Sequence, residues 1–148
     1  MPKATPAFAV LASLFTLALA PICSAQTQLV GEWSGSISVG DQTERILWHV
    51  VKAADGSVTS TFDNVDEGVL GIKVKTLTVD GSDVTAVIDD LIHPNGQDLP
   101  LSGTYAAKLN ADGNEVTGTW TQTKPEEHPP ADITFKRELA KPAAAPPQ

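Results

Sequence analysis

The residues able to do chemistry are three histidines, His49, His93 and His128, and two runs of acid: Asp63 with Asp66 and Glu67, and Asp89-Asp90 with Asp98. Paired carboxylates serve acid and base chemistry, as in glycoside hydrolysis, only when a fold holds them at a fixed separation across a cleft. Sequence spacing supplies no such separation here. These groups read first as solvated loop acids; the alternative is an acidic rim at a barrel mouth, with Asp66, Asp90 and His93 as its candidate members. A zinc site needs His or Cys at short spacings. The histidines lie too far apart, and the single cysteine, Cys23, falls in a segment expected to be removed. The run at Asp63 also misses the calcium-loop pattern, because Val65 and Glu67 stand where ligands should alternate before the glycine. Nucleophile motifs are missing: there is no Gly-x-Ser-x-Gly, no Ser-x-x-Lys and no phosphate loop. Ser34, in Gly31-Glu32-Trp33-Ser34-Gly35, is one residue out of step for a nucleophile elbow, and no helix follows it. No catalytic residue, metal ligand or cofactor is assigned.

Aromatic residues and glycines form the second pattern. Gly31-x-Trp33 suits the first strand of an up-and-down barrel, where the indole lies across one open end as a plug. Gly35, Gly103 and Gly118 each stand two residues from Trp33, Tyr105 and Trp120, in the same phase of alternation. Small residues beside large ones let strands bend and fill a tapering interior, or leave room for a small apolar ligand. The interior candidates for such a ligand are Trp33, Trp48, Phe62, Tyr105, Trp120 and Phe135.

These residues sit on a chain that alternates with a period of two from Leu29 onward, punctuated by Gly40-Asp41, Asp55-Gly56, Asp80-Gly81, Asn95-Gly96 and Asp112-Gly113. Such dipeptides tolerate the positive φ that tight hairpins demand. The pattern predicts eight strands over about 29–39, 44–53, 57–63, 69–79, 83–89, 98–109, 114–122 and 131–138, and no helical stripe outside the leader. Short connections favour an all-β, antiparallel up-and-down meander, which hides its edges best by closing into a barrel. Leu29, Trp33, Ile37 and Val39 share one phase of the first strand, opposite Glu32, Ser34, Ser36 and Ser38, so the apolar phase faces the core. Tyr105, Val116, Trp120, Ile133 and Phe135 extend that face. The second strand, Ile46 to Val51, is apolar on both faces, which predicts either an outer cover or a contact surface. A short echo links Ala54-Asp55-Gly56 through Phe62 with Ala111-Asp112-Gly113 through Trp120: a hairpin turn, then a threonine-faced strand ending in an inward aromatic.

The first 25 residues carry Lys3, an apolar run from Ala7 to Ala20 and small residues at Cys23 and Ala25, the layout of an export signal cleaved after Ala25. An apolar run of about 14 residues is shorter than the roughly 20 that span a bilayer. Pro21-Ile22 before Cys23 fits a lipidation site poorly. Cleavage leaves a cysteine-free protein whose stability rests on an apolar core, placed in the periplasm or outside the cell. The formal net charge of −8 becomes −9 once Lys3 is lost. With few, scattered basic residues, nucleic acid and anionic membrane surfaces are disfavoured as partners. Residues 26–139 form the expected domain, and the Pro/Ala-rich segment 140–148 is expected to be a disordered tail.

Gly31-x-Trp33-x-Gly35, His49 in an apolar strand before Ala54-Asp55-Gly56, the Gly68 to Gly71 connection, and Ala111-Asp112-Gly113 to Gly118-Thr119-Trp120-Thr121-Gln122 together resemble a lipocalin-like β domain of secreted bacterial proteins. That domain occurs alone or ahead of an α/β-hydrolase of the serine-aminopeptidase type. The resemblance spans about Leu29 to Arg137 and rests on turn and packing residues. It departs at Asn64-Val65-Asp66-Glu67-Gly68, where a Ser-Pro-x-Gln-Gly type of connection is expected. The chain stops where a hydrolase would begin, so no hydrolase activity is carried over. Three functional expectations follow: a non-enzymatic exported barrel binding a small apolar ligand or an envelope partner; an accessory module docking on a separate envelope hydrolase through Leu47 and Val51; and a hydrolase using the rim acids with His93.

Overall fold

A computed structural model describes residues 26–138. The expected signal peptide, its cleavage after Ala25 and the tail over 140–148 lie outside the described residues. Eight strands follow one another: β1 (Gly31–Val39), β2 (Gln42–Lys52), β3 (Val58–Asn64), β4 (Val69–Asp80), β5 (Asp83–Ile92), β6 (Leu99–Leu109), β7 (Glu115–Lys124) and β8 (Ala131–Arg137). Each pairs antiparallel with its sequence neighbour, and β8 returns to β1 through Trp33↔Arg137 to Ser36↔Thr134, closing the barrel. The predicted all-β meander is therefore the observed fold.

The turn chemistry acts as expected at Asn95-Gly96, where both residues hold positive φ, 54° and 77°, the conformation an Asn-Gly pair adopts readily. One departure lies at the start. Thr27–Leu29 forms a short 3-10 turn, so β1 begins at Gly31 rather than at residue 29. Leu29 is withdrawn from the strand because it is wholly buried beneath the barrel end, and its carbonyl accepts the Trp33 indole N–H at 2.8 Å.

The loops alternate between two ends. One end carries the 3-10 turn, the β2–β3, β4–β5 and β6–β7 connections and the last residues of β8. The other carries the β1–β2, β3–β4, β5–β6 and β7–β8 connections. Inward residues of all eight strands make one core, with Trp33, Trp48, Tyr105 and Phe135 among its largest fully buried side chains.

Candidate functional site

The first end is sealed. Trp33 lies across it, and the Arg137 guanidinium sits 4.2 Å from the indole centroid. Arg137 also donates to the carbonyls of Val30 (2.7 Å), Gln28 (2.6 Å) and Gly113 (3.0 Å), binding the leading turn to the β6–β7 connection. Partial burial pulls the Arg137 pKa down from its usual value, yet a guanidinium stays charged at any pH the protein meets. Sequence reasoning missed Arg137. Its signal was available: it continues the inward phase of Ile133 and Phe135, an odd place for a cation unless something caps it.

Above this plug the rings pack on one another. Trp48 stands at the centre, with ring centroids 6.0 Å from Trp33, 5.4 Å from Phe62, 6.2 Å from Tyr105 and 5.3 Å from Phe135. These separations are those of direct aromatic contact. Their polar atoms are satisfied: Trp48 Nε1 donates to Ser60 Oγ at 2.6 Å, and the Tyr105 hydroxyl donates to the Ile133 carbonyl at 2.8 Å. Burial pushes the Tyr105 phenol up, so it remains a neutral donor. Five of the six interior candidates, Trp33, Trp48, Phe62, Tyr105 and Phe135, are thus drawn into one packed cluster at 0–6% exposure. Trp120, the sixth, is only half-buried.

Trp120 pairs with Ala131 at the start of β8 and lies against Gly103, towards the second end. That end is less covered: Ile46, Ile92 and Leu101 are partly buried around the core, and Val39 and Leu70 are 47% and 69% exposed. The three rim candidates are all placed there, each with a partner of its own. Asp66 accepts from the backbone N–H of Arg45 (2.7 Å) and pairs with its guanidinium (2.8 Å), which holds the Asp66 carboxyl below its usual range. Asp90 accepts the Lys73 backbone N–H at 2.9 Å, and His93 Nδ1 meets Asp98 at 2.7 Å. A second acidic contact sits at this end: Glu44, facing inward, lies beside Glu67, whose pKa the hydrogen bond with Glu44 and partial burial raise. Among the described residues no three His, Cys, Asp or Glu side chains are grouped so as to hold a metal ion.

On the outer wall the structure shows a cluster that sequence reasoning did not assemble. His49 Nε2 meets Asp63 at 2.7 Å, while Nδ1 contacts Glu32. The other Asp63 oxygen accepts the Gly71 N–H at 2.7 Å, so the cluster ties β1 through β4. Partial burial alone would lower the His49 pKa. The hydrogen bonds the ring donates to Asp63 and then Glu32 outweigh burial and raise its pKa from the ordinary value of 6.5. A histidine raised on folding stabilises the native state fully below its unfolded pKa and loses that contribution as pH climbs through the folded one. Urea unfolding of the wild type should therefore show stability falling as pH rises from about 6.5. The slope should flatten in His49→Gln. An unchanged slope in the variant would remove His49 from the account.

His49 also settles how the two-faced second strand is used. Val51 is 52% exposed and Leu47 partly buried, but His49 and its carboxylates stand between them, so the outer face of β2 offers no continuous apolar patch.

The described residues thus form a closed, eight-stranded, antiparallel up-and-down β-barrel with one plugged and one less covered end. No protein family matches the sequence, and no curated protein does. Among solved structures it is similar to a candidate outer membrane protein of Bacteroides fragilis, at 15% identity and a TM-score of 0.50, over 77% of this chain and 52% of that one. It is also similar to a redesigned β-barrel, at 17% identity and a TM-score of 0.45, over 80% of this chain and 98% of that one. This chain therefore spans about half the length of the Bacteroides protein. The first likeness concerns the fold alone. A barrel in lipid turns an apolar band outward around a polar interior. Here Glu32, Ser34, Ser36, Lys73, Lys75, Lys108 and Thr117 face out and aromatic rings fill the inside, the reverse arrangement. Among the described residues no helix is long and apolar enough to cross a membrane.

Proposed function

We propose that this is an exported, non-enzymatic β-barrel that binds a small apolar group at its less covered end, against Trp120. The observation carrying this reading is the unequal treatment of the six interior aromatics. Five are consumed by contacts with one another, and Trp120 alone of the six keeps surface towards solvent, at the end where Val39 and Leu70 are also exposed. A few apolar walls with polar groups at their margin make a recognisable small-molecule site. Glu67 beside Glu44 and Asp66 beside Arg45 supply polar groups at the same end. The Cys-free composition after cleavage at Ala25 and the export-type leader support a periplasmic or extracellular location.

Titration with a neutral apolar dye tests the reading. Binding should perturb Trp120 emission while Trp33 and Trp48, both at 0% exposure, stay silent. Trp120→Ala should weaken the dye at least tenfold with the fold intact by circular dichroism. Equal affinity in the variant would overturn the site. Native mass spectrometry of protein taken from its own envelope would then show whether a natural ligand is retained.

A further inference from the structure

The shortest ladder of the barrel joins β3 and β4. Their ladder consists of Thr61↔Lys73, Phe62↔Ile72 and, past an irregularity, Asn64↔Val69. Val58–Ser60 are paired to β2 on their far side, and Val74–Asp80 to β5, but no ladder pair joins these two stretches across the seam. Two bulged sites explain the splay. Near Asn64 the Asp63 carboxylate, instead of a backbone carbonyl, takes the Gly71 N–H, and between Val74 and Thr76 the β4–β5 register slips. A bulge bends its strand and disrupts the ladder locally.

The result is a hollow of about 400 Å³ with Val58, Ser60, Val74 and Leu77 along it and Lys73 and Lys75 on its outer lip. Its edges lack ladder partners over Val58–Ser60 and Val74–Val79. Gln26 of the same chain lines the hollow, and its side-chain amide donates to the Leu77 carbonyl, so this carbonyl points into the seam and accepts from a donor outside the sheet. Unpaired strand edges are templates for another strand, and proteins use such edges to capture extended peptides, with backbone bonds giving affinity and alternate side chains giving selectivity.

We propose that the β3–β4 seam docks an extended, acidic peptide segment of a partner protein, added as a strand along the β4 edge from Val74 to Val79 and displacing the Gln26 side chain from the Leu77 carbonyl. Every second side chain of the peptide would turn inward onto Val58, Val74 and Leu77, and the intervening carboxylates would meet Lys73 and Lys75. Charge selects this occupant. A chain of net charge −8 places Lys73 and Lys75 on the lip of this hollow, whereas a second copy would bring its own excess acid. Lys75 is shared with Asp89 of β5 at 3.1 Å, and the Lys73 ammonium has no carboxylate partner among the described residues. The open backbone groups call for a partner with amides, which a lipid tail lacks. The site is separate from Trp120 and stands whether or not that end binds a ligand.

Amide hydrogen exchange on the full-length exported protein tests the proposal, with two eight-residue probes: one alternating valine and glutamate, the other valine and lysine. In free protein the amides of Val58–Ser60 and Val74–Val79 should exchange faster than those of β5 and β6. The glutamate peptide should slow them at least tenfold, and should bind at least tenfold more tightly than the lysine peptide. The double substitution Lys73→Glu, Lys75→Glu should reverse that preference, with its thermal melt showing that it folds. Equal binding of both peptides would overturn the charge assignment. Protection confined to other strands would overturn the site. Protection that grows with protein concentration in the absence of peptide would assign the seam to a second copy and overturn the proposal, as would protection by neutral phosphatidylcholine vesicles.

Discussion

Trp48→Ala should cost this protein roughly 4–5 kcal/mol, the upper end of what truncating a buried tryptophan does. Two effects add. The first is the void. Trp48 touches the rings of Trp33, Phe62, Tyr105 and Phe135 from a position of 0% exposure, and those rings are fixed to different strands of a closed barrel that cannot collapse inward from one side. The second is polar. Ser60, 6% exposed, loses the indole N–H that its hydroxyl accepts at 2.6 Å, and a buried polar group left unpaired costs about 1–3 kcal/mol. Single domains are stable by about 5–15 kcal/mol in total, so the variant should sit near the edge of folding. Urea unfolding followed by far-UV circular dichroism measures it. Trp48→Ala with Ser60→Ala should recover part of the loss, because the second change removes the orphaned hydroxyl. A loss below about 1.5 kcal/mol would mean that the interior is looser than these ring contacts require, and would reopen the interior as ligand space.

The fold was legible because its signals are local. Alternation along β1, β6 and β8 sets which face is buried, and turn dipeptides such as Asn95-Gly96 set where each strand ends. Trp33 could be placed as a plug from Gly31-x-Trp33 alone. The features that escaped depend on strands meeting. Glu32, His49 and Asp63 are far apart in sequence, and they gather only because β1 pairs with β2 in the register Glu32↔His49 and β2 pairs with β3. Register of that kind is fixed by the whole sheet and is invisible in one strand's pattern. The β3–β4 seam escaped for a related reason. Hydrophobic alternation in β4 is legible at Leu77 and Val79, but a bulge shifts phase without changing composition, and only the folded sheet shows that Val74–Val79 have no ladder partner on the β3 side. Asp66, Asp90 and His93 fall at one end by topology. What topology could not supply is that Arg45, the Lys73 amide and Asp98 engage them separately.

Gly118→Ala is the other large effect expected, from a single added methyl group. Gly118 lies on β7, opposite Ala107 of β6 and Ile133 of β8. A β carbon there would stand 2.5 Å from Ala107 Cα, and nearer still to the Ala106 carbonyl oxygen and Ala107 Cβ. Replacing glycine in an extended strand ordinarily helps by about 0.4–1 kcal/mol, through the unfolded chain. Overpacking costs about 1–3 kcal/mol, occasionally more, and here two of the opposing atoms are backbone, which no rotamer change can move. The clash therefore wins, and a net loss of roughly 2–3 kcal/mol is expected in urea unfolding. Adding Ala107→Gly separates the contributions. It removes the opposing β carbon but leaves the Ala106 oxygen and the Ala107 α carbon, so stability should return only in part. Full recovery would show that side-chain contact alone was responsible and that β6 and β7 can separate at this point. Trp120 stands two residues further along the same strand, so a displaced β7 also carries that indole out of place. Dye affinity at the less covered end should accordingly fall in Gly118→Ala and return with stability in the double variant.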